Sequence, residues 1–196
     1  MNLYVGGDSF CFYRDNADTD WPLIMASKLG LSLQGQGFPG SSWWLTRKNL
    51  KDFLGSKEYT ANDIFVICHT DYSRPPIGYF PKIGFTASRE EINRLWLTHF
   101  FSQEFSEWAL TNWYSELNTW LRNHFVLHLN CFEDEKKFAN KLDGIVYHNS
   151  LLNISKQEMS KTMDFMNDTR RNHFSTEKNQ WMADELIKII STRIKQ

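Results

Sequence analysis

Cysteine is too scarce and too widely spaced in this chain for a disulfide framework or a zinc site. Cys11, Cys68 and Cys131 are the only cysteines among 196 residues, an odd number with no Cys-x-x-Cys pair. All three lie in or next to predicted strands, where a reduced cysteine behaves as a small buried hydrophobe. The nearest approach to a histidine ligand pair, His124 and His128, straddles a predicted change from helix to strand. The sequence therefore predicts no metal and no cofactor.

Long hydrophobic runs and basic clusters are missing as well. No stretch reaches the ~18 apolar residues that a membrane span needs, and the chain does not open with a basic, apolar leader. We therefore expect no membrane span and a cytoplasmic protein. The formal net charge is −1 and the Lys and Arg residues are scattered, which gives no basis for a nucleic-acid partner. With 41% hydrophobic and 23% charged residues, the sequence is typical of one globular domain over residues 1–196.

Short apolar segments alternate with helical patterns along the chain, which predicts an α/β fold with a parallel sheet. Residues 64–67 are apolar throughout, as in a strand that is covered on both faces. One helix is predicted between Asp20 and Gly30. A C-terminal helix is predicted to begin at a cap formed by Ser175 or Thr176. The predicted strands are residues 3–5, 31–33, 63–68, 125–129 and 144–147.

The segment of residues 88–125 is rich in aromatic side chains and has a helical periodicity. One interpretation is a long core helix, or two, with the recurring apolar residues in the core. The other is that part of the segment forms an aromatic wall over the active site or a dimer face. The apolar residues that recur every three or four positions are Leu97, Phe101, Phe105, Trp108, Leu117 and Leu121.

A serine follows the first predicted strand in the sequence Gly7-Asp8-Ser9. A turn at the end of a strand presents a side chain to solvent, but a serine hydroxyl is a weak nucleophile until a neighbouring base accepts its proton. The candidate base is His173, in the segment Asn-His-Phe-Ser before the last helix. Together, the serine and the histidine predict an ester hydrolase.

Segments in this order resemble the SGNH (GDSL-type) hydrolase superfamily. The segments are residues 7–10, 37–42, 68–71 and 172–175. The resemblance implies a three-layer α/β/α sandwich of flavodoxin-like type with a parallel sheet of about five strands. It also implies hydrolysis of carboxylic esters through an acyl-enzyme at Ser9, with His173 as the base. Lipases, thioesterases and carbohydrate O-acetyl esterases belong to this superfamily. The abundant Trp and Tyr residues favour a sugar-bearing substrate, although they would also suit an acyl chain.

Two positions depart from the pattern of the superfamily. Thr70 stands where an oxyanion-binding asparagine is expected. Arg170 stands three residues before His173, where the superfamily has an aspartate that orients the base. The nearest acid, Asp168, is therefore the candidate third member of a triad, with a Ser–His dyad as the alternative. The departures resemble divergent members of the superfamily, including those of bacteriophages. They also leave open a non-catalytic descendant that binds a ligand or a partner.

The oxyanion of a tetrahedral intermediate needs preorganised hydrogen-bond donors. The proposed donors are the backbone N–H of Ser9, the backbone N–H of Gly40 and the side chain of Thr70. Asp71 and Asp8 are candidate contacts for the substrate, and ordinary turn hydrogen bonding is the alternative for each. The predicted partner is a small-molecule or glycan ester.

A cysteine nucleophile is a rival interpretation, because His69 follows Cys68 directly. Neighbouring residues on a strand point to opposite faces, so these two side chains are not expected to pair. A further alternative is an α/β protein unrelated to hydrolases, in which Gly-Asp-Ser is only a turn. A distance above about 6 Å between the side chains of Ser9 and His173 would support that alternative, since a nucleophile and its base lie within hydrogen-bond reach.

Overall fold

A parallel sheet forms the centre of the computed structural model, which describes residues 1–14, 19–74, 91, 94–158 and 171–194. The strands are β1 (Asn2–Gly6), β2 (Ser32–Gln34), β3 (Ile64–His69), β4 (Phe125–Asn130) and β5 (Ile145–Val146). Their order across the sheet is β2-β1-β3-β4-β5, with Val5 of β1 beside Val66 of β3 in the central pair. The parallel sheet of five strands predicted from the sequence is confirmed.

Helices cover both faces of the sheet and complete an α/β/α sandwich. They are α1 (Trp21–Leu29), α2 (Trp43–Leu54), α3 (Gln103–Leu121), α4 (Leu151–Lys156) and α5 (Thr176–Ile194). Leu3 and Val5 of β1 face a core formed with α1, α4 and α5. Tyr4, between them, faces a second core formed with α2 and α3. This alternation follows from the period of two in a strand. Within the described residues, no helix is long and apolar enough to cross a bilayer.

Local sequence explains both ends of α1 and the start of α5. Pro22 lies in the first turn of α1, where its missing N–H leaves no hydrogen bond unmade. Gly30 ends α1 with a left-handed φ of 65°, which glycine adopts without steric cost. The hydroxyl of Ser175 accepts a hydrogen bond from the backbone N–H of Lys178 at 3.1 Å, so Ser175 caps α5. These boundaries agree with the sequence prediction.

The helical stripe predicted in the aromatic-rich segment is correct only in its second half. Leu117 and Leu121 are buried. Leu97, Phe105 and Trp108 are 54%, 49% and 61% exposed, so their placement in the core was wrong. Two extended residues separate α3 from the helical turn before it, so one continuous stripe cannot run through both. Residues 88–90 and 92–93 lie outside the described residues. The buried face of α3 consists of Ser106, Ala109, Leu110, Trp113, Tyr114, Leu117 and Leu121.

Candidate active site

The chain connections diverge at the carboxyl ends of β1 and β3. The chain leaves β1 towards β2 and leaves β3 towards β4, and ligands of open α/β sheets bind where the connections diverge in this way. Ser9 follows β1 at this edge and Thr70 follows β3. Gly7 forms a β-bridge with Gly37, and a Cβ on Gly37 would lie 2.1 Å from the carbonyl oxygen of Asp8. The first two motif segments therefore meet backbone to backbone, which only glycine allows.

Ser9 and His173 are in hydrogen-bond contact at this edge of the sheet. Nε2 of His173 lies 2.9 Å from Oγ of Ser9, although 164 residues separate them in the sequence. Both side chains are partly exposed, and the ring of Phe10 packs against His173 with 4.8 Å between the centroids. A neutral ring with its proton on Nδ1 would accept the serine proton at Nε2, as a general base must. The structure brings together the two residues that the sequence paired.

The backbone of His173 adopts a conformation that few residues other than glycine use. Asn172 and His173 have φ values of 45° and 64°, both in the left-handed region. Asn172 exchanges side-chain hydrogen bonds of 2.8 and 3.1 Å with Asn179 of α5, which also accepts from the backbone N–H of Trp21. Ser155 donates to the carbonyl oxygen of His173 at 2.7 Å. Such strain persists only where the surroundings fix it, and it clusters at functional sites.

Asp8 is fully buried and organises the serine turn from within. Its Oδ1 accepts a hydrogen bond from the backbone N–H of Phe10 at 3.1 Å and from the thiol of Cys131 at 3.2 Å. Its Oδ2 accepts from the hydroxyl of Thr70 at 2.9 Å and from the guanidinium of Arg74 at 3.2 Å. A carboxylate with 0% exposure and these donors does not reach a substrate. Turn hydrogen bonding, the alternative left open for Asp8, fits the geometry, and substrate contact does not.

Thr70 and Asp71 also form hydrogen bonds to other groups of the protein. The hydroxyl proton of Thr70 is directed to Asp8, and the residue is only 1% exposed. The geometry of Thr70 therefore indicates that its hydroxyl holds the Asp8 carboxylate in place and does not donate a hydrogen bond to an oxyanion. Oδ1 of Asp71 accepts from the backbone N–H of Ser73 at 2.7 Å. This is the turn chemistry that the sequence left open as the alternative for Asp71.

Arg74 is a site residue that the sequence analysis missed. Its Nη1 donates to Oδ2 of Asp8 at 3.2 Å and to the carbonyl oxygen of Ser41 at 3.1 Å. The guanidinium also lies over the ring of Phe132, 5.0 Å from its centroid. Ser41, in turn, donates its hydroxyl to the carbonyl oxygen of Gly7 at 3.0 Å. Arg74 thus ties the first motif segment to the second. A lone arginine beyond the third segment belongs to no motif, so no sequence signal pointed to it.

The oxyanion role of Gly40 and the triad role of Asp168 remain predictions, as do the catalytic roles of Ser9 and His173. Gly40 lies in the turn before Ser41 with a φ of 65°, a conformation that favours glycine, and its N–H remains the predicted second oxyanion donor. Asp168 lies outside the described residues, so its place in a triad also remains a prediction.

The cysteines are reduced and buried, as the sequence predicts. Burial raises the pKa of the Cys68 and Cys131 thiols well above the ordinary value, which suppresses the reactive thiolate. Cys68 packs in the core beneath α1 and α5, whereas His69 packs on the other face of the sheet against Tyr114 and His128. A nucleophile pair of Cys68 and His69 is therefore excluded. Within the part of the chain that is described, no group of three metal-ligating side chains could hold an ion.

Comparisons by sequence find no matching family model and no matching curated protein. Comparisons by structure do find matches. A protein of the G-D-S-L family from Desulfitobacterium hafniense matches with a TM-score of 0.54 at 13% identity, over 96% of this chain and 99% of its own. A family two carbohydrate esterase from Clostridium thermocellum, solved in complex with cellohexaose, matches with a TM-score of 0.53 at 12% identity. That match covers 99% of this chain and 64% of the esterase, so this chain spans about two thirds of its length.

A third structure is of a carbohydrate esterase whose active site displays divergent catalytic and non-catalytic binding functions. It matches with a TM-score of 0.52 at 11% identity, over 98% of this chain and 68% of its own. At such identities the likeness establishes the fold. This chain has the fold of the SGNH hydrolases, as the resemblance of its motif segments implied.

Proposed function

We propose that this protein is a serine hydrolase of carboxylic esters, with Ser9 as the nucleophile and His173 as the general base. The observation that carries the proposal is the 2.9 Å contact between Oγ of Ser9 and Nε2 of His173. It lies at the carboxyl edge of the sheet, where the chain connections of an α/β sheet diverge. The buried partners of Asp8 and the strained backbone of His173 also indicate a site that is fixed in advance.

In the proposed reaction, Oγ of Ser9 attacks the ester carbonyl carbon while Nε2 of His173 accepts the hydroxyl proton. The tetrahedral intermediate then collapses, the bond between the carbonyl carbon and the alkoxy oxygen breaks, and His173 gives its proton to the leaving alcohol. This leaves the acyl group on Ser9. A water molecule attacks the acyl-enzyme as His173 accepts its proton. The second tetrahedral intermediate then collapses, the bond between the acyl carbon and Oγ of Ser9 breaks, His173 returns its proton to Oγ, and the carboxylic acid leaves.

The backbone N–H groups of Ser9 and Gly40 are the proposed donors to the oxyanion. One such donor typically lowers the barrier by about 3 kcal/mol. Asp8 and Arg74 act behind these donors, since Asp8 fixes the serine turn and Arg74 links it to the carbonyl of Ser41, next to Gly40. In this proposal Thr70 supports Asp8 and does not contact the substrate.

Asp168 is the proposed acceptor for Nδ1 of His173, which would fix the tautomer needed for proton transfer. The alternative is a Ser–His dyad. Asp168→Asn distinguishes the two, because loss of a triad carboxylate lowers kcat by about 10⁴ in a classical triad. If the site is a Ser–His dyad, Asp168→Asn would leave kcat close to that of the wild type.

The substrate class that we favour is an O-acetyl ester of a carbohydrate. The chain contains eight Trp and seven Tyr residues, whose flat rings suit sugar faces. Two of the structural neighbours are carbohydrate esterases, and one of them was solved with cellohexaose. At this level of identity the neighbours support the choice only through the shared fold.

Hydrolysis of p-nitrophenyl acetate and of acetylated xylo-oligosaccharides tests the proposal. We expect the wild type to release acetate from both, and Ser9→Ala and His173→Ala to lose nearly all activity. Ser32→Ala, on the exposed side of β2, and His148→Asn, at an exposed turn, are the matched controls and should retain full activity. No hydrolysis of either ester by folded wild type would contradict the proposal and favour a non-catalytic descendant.

A further inference from the structure

The segment that carries His173 is held on both sides by hydrogen bonds from other elements. On the side that precedes His173, the side chain of Asn172 is paired with Asn179 of α5. On the side that follows it, the contacts come from the end of α4, a short helix that comes after β5 in the chain. The mechanism proposed above uses no side chain of α4.

Two side chains at the end of α4 contact the His173 segment. The hydroxyl of Ser155 donates to the carbonyl oxygen of His173 at 2.7 Å. The carboxylate of Glu158 accepts two hydrogen bonds from Ser175. One comes from the backbone N–H to Oε2 at 3.1 Å, and the other comes from the hydroxyl to Oε1 at 2.5 Å. These contacts therefore fix the backbone at His173 itself and two residues after it.

The spacing of Ser155 and Glu158 places both side chains on one side of α4. Residues three apart in a helix are neighbours on its surface. Glu158 lies in the turn just after α4, where its backbone N–H donates to the carbonyl oxygen of Ser155 at 3.1 Å. Ser155 is fully buried and Glu158 is partly exposed. One hydroxyl donor and one carboxylate acceptor are thus presented together to the chain that leads into α5.

α4 is a fixed support because the core and the end of β4 hold it. An isolated helix of 6 residues is not stable in water, so its contacts with the rest of the protein decide its position. Leu151 and Ile154 are buried in the core that α1 and α5 share. The backbone N–H of Leu152 donates to the carbonyl oxygen of Cys131, directly after β4, at 3.0 Å. Side chains on such a support hold a site residue more precisely than side chains on a loop.

The backbone conformation of His173 needs this support. Its φ of 64° lies in the left-handed region, which is unfavourable for a residue with a Cβ. We expect the segment to relax to a negative φ without the hydrogen bonds from α4, which would turn the imidazole away from Ser9. A misplacement of about 1 Å between reacting groups can lower a rate about 100-fold. The contacts from α4 therefore bear on catalysis, although they act on the backbone of the base and not on a reacting atom.

We propose that Ser155 and Glu158 are positioning residues that hold the His173 backbone in its left-handed conformation and so keep Nε2 within reach of Oγ of Ser9. The catalytic consequence rests on the ester hydrolysis proposed above, whereas the hold on the backbone is measurable without activity. This role is separate from that of Asp168, because it acts on the backbone of His173 and not on Nδ1.

Ser155→Ala and Glu158→Gln test the inference, with Glu177→Gln as the matched control. Glu177 is an exposed carboxylate in the first turn of α5, so its replacement removes the same charge near the same helix end and leaves the contacts from α4 intact. Glu158→Gln keeps the size of the side chain, but its amide nitrogen cannot accept, so one hydrogen bond from Ser175 is lost. We expect Ser155→Ala and Glu158→Gln to lower kcat for p-nitrophenyl acetate about tenfold with KM near that of the wild type, and Glu177→Gln to match the wild type.

The three-bond coupling between the amide and α protons of His173 reports its φ whether or not the protein is active. We expect this coupling to change in Ser155→Ala and in Glu158→Ala, which loses both hydrogen bonds from Ser175, and to keep its wild-type value in Glu177→Gln. An unchanged coupling in the first two variants would overturn the inference. A kcat that is unchanged in Ser155→Ala and Glu158→Gln, or that falls equally in Glu158→Gln and Glu177→Gln, would overturn it as well. An inactive wild type whose variants show the expected changes in coupling would count against the ester hydrolysis alone.

Discussion

Arg74 and Asp8 form an ion pair of 3.2 Å next to the nucleophile turn, with the arginine side chain 23% exposed and the carboxylate fully buried. The same arginine nitrogen also donates to the carbonyl of Ser41 in the second motif segment. The ion pair therefore joins the backbone of the proposed nucleophile to the segment that carries the proposed second oxyanion donor.

We predict that Arg74→Ala lowers both stability and turnover. Removing the arginine leaves a buried carboxylate without its cation, and breaking such a pair costs about 3 kcal/mol of unfolding free energy. If Arg74 positions the oxyanion donors, kcat for p-nitrophenyl acetate falls while KM stays close to that of the wild type. Arg74→Lys keeps the charge but loses the planar geometry, so it should recover stability more than kcat. A variant that loses stability while its kcat is unchanged would show a purely structural role.

Asn172 offers a test of the strained backbone before His173. Asn172→Gly and Asn172→Ala both remove the side-chain hydrogen bonds to Asn179. Only alanine has a Cβ, which is sterically unfavourable at the φ of 45°. We therefore expect the alanine variant to be less stable than the glycine variant by about 1 kcal/mol in urea unfolding. Equal stabilities would mean that the left-handed conformation is not retained in solution.

His69 and His128 form a buried pair whose protonation opposes folding. Nε2 of His128 lies 2.8 Å from the carbonyl oxygen of Asp143, which only accepts, so this nitrogen carries a proton. Nδ1 of His128 then accepts from Nε2 of His69 at 3.0 Å, and both rings are neutral. Burial lowers the pKa of His69 well below 6.5, helped by the neighbouring His128. Burial also lowers the pKa of His128 to about 4.

We predict that this pair makes the fold sensitive to mild acid. Above the unfolded pKa of about 6.5, both states are neutral and the pair has no pH-dependent effect. Below this pH the two histidines take up protons in the unfolded chain but stay neutral in the folded one. The free energy of unfolding therefore falls as the pH decreases towards about 4. The loss from His128 alone amounts to about 2 kcal/mol between about pH 7.5 and about pH 5.

Urea unfolding across this pH range measures the effect. His128→Gln, which keeps a donor and an acceptor but does not titrate, should show a shallower loss of stability than the wild type. His148→Asn, at an exposed histidine, should follow the wild type. A wild-type stability that stays constant from about pH 7.5 to about pH 5 would contradict neutral burial of the pair.

The sequence was sufficient for the features that depend on short-range pattern. The strands, both ends of α1, the start of α5 and the pairing of Ser9 with His173 all rest on apolar runs, caps and motif segments that can be read directly. The exposure of Leu97 was not predicted because the two extended residues before α3 end the helical turn that carries it, and no Gly or Pro marks that break. Trp108 lies within α3 itself, nine residues before Leu117, and this spacing places the two side chains on opposite faces of the helix.

Other features depend on the arrangement of the chain in three dimensions. Asp8 and Cys131 are 123 residues apart, and nothing in the sequence indicates that the thiol donates to the carboxylate. Nothing in the sequence distinguishes Arg74 from a surface arginine. It reaches Asp8 because β3, which it follows, lies beside β1. Asn179 looks like an ordinary polar residue of a helix, yet its amide fixes the segment that carries His173. These contacts join segments that are far apart in the sequence, so they could be identified only from the three-dimensional structure.

The proposed function requires Ser9 to be an activated nucleophile. Incubation with a fluorophosphonate followed by tandem mass spectrometry of the digested protein tests it most directly, because the probe reacts with a serine only when a base has raised its nucleophilicity. We expect a single adduct on Ser9, absent from Ser9→Ala and His173→Ala but present in Ser32→Ala. An adduct at another serine, or none on the folded wild type, would contradict the claim.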